Sequence, residues 1–130
     1  MIPIARACSK AGHEVAVAAP ASFASQVQSR GLSHLPFPDA PSDRMGAVFA
    51  RLPQLPREEA DRVVVSEVFG RLDAQAAFPT LMDILAELHP DIVVRDPSEF
   101  GSLVAAQQAG IPQAQVAIGL DQLVITRRAG

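Results

Sequence analysis

Asp96 is the residue best placed to do chemistry. It directly follows residues 91–95 (Asp-Ile-Val-Val-Arg), a run that predicts a strand, so it falls at that strand's carboxyl edge. Open α/β sheets bind ligands outside that edge, above all where strand order reverses. Asp before Pro97 is also an ordinary way to open a turn or cap a helix. Glu99 and Phe100 come next, in the first turn of the following helix. They could touch a ligand in the crevice, or serve the helix dipole and the core. Of the three histidines, His13 and His89 precede strands and so face the opposite edge, and His34 falls inside a strand. None is placed to partner Asp96, and all three read as structural. Cys8 is the single cysteine, so an intrachain disulfide and a zinc quartet are both excluded. Its helical spacing makes it a small buried hydrophobe. No glycine-rich phosphate loop of either common type occurs, and no cofactor is expected.

The elements that must position these residues alternate. Residues 2–11 form a helix with Ile4, Ala7, Cys8 and Ala11 on its inner stripe, stopped by Gly12. Residues 14–19 form a strand ended by Pro20. Ser22 is expected to cap a helix to about residue 30, with Phe23 and Val27 turned inward. Gly31 stops it, and residues 32–37 form a second strand. Between residues 38 and 57 prolines break any long element, yet Met45, Val48, Phe49 and Leu52 are apolar and must pack somewhere. A helix from residue 57 reaches Val63–Val65. Another runs from about 71 to 88, with Leu81, Ile84, Leu85 and Leu88 on one stripe and Pro79 starting or kinking it. Residues 91–95 follow as a strand buried on both faces, then a helix over 98–109, a stop at Gly110-Ile111-Pro112 and a strand over 113–118.

Helices alternating with strands predict a Rossmann-like α/β fold, a parallel sheet with flanking helices and right-handed crossovers. Such folds usually begin on a strand. This chain begins inside a helix, as though the first strand of a βαβ unit were missing. At 130 residues it is one domain. Hydrophobic residues make up 48% and charged residues 19%, which excludes disorder. No apolar stretch suits a membrane helix and no secretory signal is visible. One cysteine fits a reducing cytoplasm. A net charge of −3 with no basic cluster beyond Arg127-Arg128 disfavours a nucleic-acid partner.

Several segments together resemble a known family. Ala11-Gly12-His13-Glu14-Val15 with Val17-Ala18-Ala19-Pro20 looks like the first helix end and second strand of a GT-B glycosyltransferase acceptor domain. Residues 90–97, then Gly101, Ala105-Ala106 and Gly110-Ile111-Pro112, resemble its fourth strand and the next helix. Gly119-Leu120-Asp121 with Arg127-Arg128 is similar to the segment after the fifth strand in bacterial enzymes that attach deoxysugars to polyketides. The resemblance covers nearly the whole chain.

It implies that residues 1–130 are part of an amino-terminal, acceptor-binding domain. The first strand and its catalytic histidine would be absent, as would the donor-binding domain. Asp96 would hold and charge that histidine, which takes the proton of an acceptor hydroxyl. Met45, Phe49, Phe69 and Phe78 lie in the region that walls the family's acceptor pocket, though ordinary core is the better account of each. The implied partners are a hydrophobic aglycone, a nucleotide-sugar donor held by the absent domain, and in some relatives an auxiliary activator protein. Two other readings stay open: the acceptor-binding subunit of a split enzyme, and a non-enzymatic flavodoxin-like module.

Overall fold

In a computed structural model the described residues are 1–117. The expected end of the last strand, the Gly119-Leu120-Asp121 segment and Arg127-Arg128 lie outside them.

The chain opens on helix α1 (Ile2–Lys10), with Pro3 in its first turn and no acidic residue there. Gly12 follows at φ +97°, the left-handed backbone that glycine adopts without penalty. The packed stripe of α1 is offset from the expected one. Ile2 and Ala5 join the core, while Ile4, Ala7 and Ala11 are exposed. Strand β1 (Ala16–Pro20) pairs in parallel with β2 (Ser33–Phe37). A short 3-10 turn (Ala21–Phe23) and α2 (Ala24–Gln28) connect them. Val27 is buried as expected, but Phe23 is 48% exposed. The turn winds tighter than an α-helix and aims Phe23 outward. Ser22 does not cap α2: its hydroxyl donates to Asp39 instead.

The irregular middle is a correction. Residues 38–57 contain a regular helix, α3 (Ser42–Arg51). Pro41 and Pro53 flank it, and proline outside a helix limits its length without breaking it. A 3-10 turn (Leu52–Gln54) leads into α4 (Arg57–Val63). Where two separate helices were expected, the chain stays helical from 57 to 88. It passes from α4 through a π-helical stretch (Val64–Asp73) into α5 (Ala74–Leu88). Gly70 suits that stretch, since a Cβ there would lie 3.1 Å from the Val65 carbonyl. Pro79 lies inside α5. Val48 of α3 packs with Val68 and Leu72, joined by half-buried Met45 and Phe69. Arg51 ties the two segments by an ion pair to Glu67 at 2.6 Å.

The last part is β3 (Val93–Arg95), α6 (Phe100–Ala109) and β4 (Gln113–Gln115), with β3 and β4 parallel. Phe37, Ala77, Leu81, Leu85 and Ala105 form the core between β2, α5 and α6. Leu88, expected on that stripe, is exposed at the helix end. A Cβ on Gly101 would meet the Ala74 carbonyl at 3.3 Å, so α6 crosses α5 at small-residue distance. β3 is not buried on both faces. Val93 packs inward, whereas Ile92 is 51% and Val94 39% exposed. The cause is architectural: among the described residues β1–β2 and β3–β4 are two separate two-stranded sheets, and helices cover only one face of β3.

Candidate functional site

Asp96 leaves the carboxyl end of β3, as the sequence placed it. One of its oxygens, Oδ1, accepts the Ser98 N–H at 2.7 Å. Its carbonyl accepts the Glu99 N–H at 3.2 Å. Together these make the tight turn that carries the chain into α6. Among the described residues no hydrogen bond reaches its other oxygen, Oδ2. The turn therefore holds one side of a half-buried carboxylate and leaves the other without a hydrogen bond among the described residues.

Arg95 lies beneath it, only 9% exposed. Its Nε donates to Gln113 Oε1 at 2.8 Å, Nη2 to Gln115 Oε1 at 3.0 Å, and Nη1 to the Asp96 carbonyl at 3.1 Å. Sequence reasoning passed over this arginine. The available signal was a charged residue ending an otherwise apolar strand.

Glu99 is the N-cap residue of α6, although its side chain makes no cap. Burial pushes its carboxyl above the ordinary glutamate value, and the charges of Asp96 and Asp73 push the same way, against Arg95. Asp73, at the end of the π-helical stretch, is also raised, first by burial and then by Asp39. Asp39 follows β2 and accepts both the backbone N–H and the hydroxyl of Ser22, which follows β1. Four acidic residues from three segments, Asp96 and Glu99 sharing the turn after β3, thus collect on the carboxyl side of the strands. Asp39 was missed although its position after a strand repeats that of Asp96. Asp73 sits on a helix, where spacing gave no signal. Among the described residues no group of histidine, cysteine and carboxylate side chains could hold a metal ion.

The histidines are where the sequence put them. His34 lies in β2 with Nε2 3.0 Å from the Ala19 carbonyl oxygen. His13 is exposed ahead of β1, and His89 closes α5 in a left-handed conformation. The other candidates scatter. Phe100 is half-buried at the start of α6, near Glu99. Met45 and Phe69 share the α3 cluster, Phe78 flanks the main core, and Phe49 is 47% exposed. None of these four lines either of the clefts described here. One, of about 280 Å³ beside the end of β2, is lined by Asp39, Arg44, Leu72 and Gln75 among others. The other, of about 410 Å³ between the ends of α5 and α6, lies by His89 on the opposite edge.

The parallel strand pairs and their flanking helices match the amino-terminal domains of GT-B glycosyltransferases. The crystal structure of the Streptomyces sp. SF2575 glycosyltransferase SsfS6 superposes with a TM-score of 0.73 at 23% identity, over 90% of this chain and 34% of that one. An L-demethylnoviosyl transferase of Streptomyces niveus is 32% identical over 92% of this chain and 31% of its own length. The TDP-daunosamine transferase DnrS of Streptomyces peucetius is 28% identical over 93% and 32%. This chain belongs to the family described as erythromycin biosynthesis protein CIII-like, N-terminal domain, which it matches over residues 6–130. It spans about a third of the length of these relatives.

Proposed function

We propose that this domain binds the acceptor in an inverting sugar transfer from a nucleotide sugar to a hydroxyl of a hydrophobic natural-product aglycone. A base takes the hydroxyl proton as the new bond to the sugar's anomeric carbon forms. The bond from that carbon to the diphosphate breaks, and the nucleoside diphosphate leaves with its electron pair. The relatives support the class of donor and of product: they include a TDP-daunosamine transferase and SsfS6, a glycosyltransferase crystallised with thymidine diphosphate.

The observation that carries the reading is Asp96, with Oδ1 fixed by Ser98 and Oδ2 open at the ligand edge of a strand. A carboxylate so placed can orient an imidazole and stabilise the imidazolium formed when it takes the proton. That imidazole is not His13, His34 or His89, which all lie elsewhere. Glu99 and Phe100 flank the acceptor. The reading places the reaction in the reducing cytoplasm that a single cysteine fits. Among the described residues no helix is long and apolar enough to cross a membrane. An auxiliary activator protein belongs to the same proposal.

The test is Asp96→Asn in a full-length enzyme carrying this domain. The variant keeps the shape and loses the charge. The expected result is a rate lower by ~10²–10⁴-fold with acceptor binding little changed. An unchanged rate would return Asp96 to a turn residue.

A further inference from the structure

We infer that Arg95 is the positioning residue that holds Asp96 at the carboxyl edge, an inference resting on the proposed role of Asp96. The arrangement is built from three directions. In β4, Gln113 and Gln115 are two residues apart and share one face. The β3–β4 register sets Arg95 directly against Gln115. Both amide oxygens accept from the same guanidinium, and a third donor reaches the carbonyl of Asp96 itself. Gln113 is braced in turn, its Nε2 donating to the Leu103 carbonyl of α6 at 3.5 Å.

Stability alone does not account for this residue. Taking a guanidinium out of water is costly unless it is well paired. Among the described residues Arg95 has neutral acceptors and no ion pair. It also lies close to Glu99 at the start of α6, where its charge favours the Glu99 carboxylate, yet it makes no ion pair with it. An apolar residue there would avoid the desolvation cost. What the arginine supplies is a rigid, planar fork that ties the last peptide of β3 to β4. Asp96 is then held twice: its carbonyl by Arg95 and its Oδ1 by Ser98. With both fixed, the direction of Oδ2 is set before any partner arrives. Lysine cannot reproduce this, because a single ammonium has no planar fork.

The experiment is a double-mutant cycle in a full-length enzyme carrying this domain, reading kcat and acceptor KM separately. Arg95→Gln is expected to lower kcat by ~10–100-fold, as misplacing a reacting group does, with KM within about twofold. Arg95→Lys is expected not to restore it. In the Asp96→Asn background Arg95→Gln should cost nothing further, because the group it positions is gone. An equal loss in both backgrounds, or no loss in either, overturns the inference. Failure of the functional reading looks different, since Asp96→Asn alone would then keep the full rate. If circular dichroism shows Arg95→Gln unfolded, Gln115→Met takes its place in the same cycle. It removes one acceptor and keeps the guanidinium, and the same two outcomes decide.

Discussion

Glu99 is held at the start of α6 in a setting that disfavours its charge. Burial is the larger cause, with Asp96 and Asp73 adding to it. A raised carboxyl binds its proton more tightly in the folded chain than in the unfolded one. Its contribution to stability is therefore full below the unfolded value and is lost as pH rises through the folded value. Glu99→Gln removes that loss. Melting curves across the acidic range should show the variant and the parent alike in acid. The variant should then gain on the parent toward neutral pH, ending a few degrees higher. A difference that shrinks with rising pH would contradict the assignment. Asp73→Asn should behave in the same sense, through burial and its neighbour Asp39. These residues also show what the sequence could reveal. Asp96 was legible because the Ile92–Val94 run and Arg95 lead straight into it. Asp39 also follows a strand, but β2 has no β-branched run and Pro36 and Pro38 hide it. Arg95 was invisible as a clamp, because both glutamine acceptors lie about 20 residues away and meet it only through strand register.

At the scale of elements, the contact between α5 and α6 is the tightest constraint on where the site sits. Gly101 faces Ala74 and Ala77 so closely that a Cβ would lie 3.3 Å from the Ala74 carbonyl, and Ala105 beside it is fully buried. α6 begins four residues beyond Asp96, so displacing its first turn displaces the carboxylate. Gly101→Val should cost about 1–3 kcal/mol, the usual result of overfilling a packed contact, and be seen as a lower denaturant midpoint. An unchanged midpoint would mean the helices separate freely. The strands and the terminal helices were legible from apolar runs closed by Gly12, Gly31 and Gly110. Helix α3 was not. Its prolines read as breakers, and only the structure shows that Pro41 and Pro53 stand outside its ends. The π-helical join was equally hidden: the chain passes from α4 to α5 through Gly70 without leaving helical backbone.

For the whole molecule, the two-sheet arrangement has a physical consequence. Val93 donates its N–H to the Pro112 carbonyl on the β4 side. Alternation along a strand turns the N–H of Val94 the other way, toward an edge that no described strand pairs. The side chain of Val94 is exposed as well. The exposed side of β3 thus carries both an unpaired backbone edge and uncovered apolar surface, which sheets normally cover or blunt. An unpaired backbone group that becomes buried costs roughly 1–3 kcal/mol, large against a domain stability of about 5–15 kcal/mol. We therefore expect the chain on its own to be marginal and prone to self-association. Hydrogen exchange on the monomer tests this, with one amide as its internal control. Val93 should be protected by its bond to β4, and Val94, one residue on, should exchange close to the unfolded rate. Protection of Val94 equal to that of Val93 in a verified monomer would show that the two sheets join in solution, and the expected weakness of this edge would then be wrong.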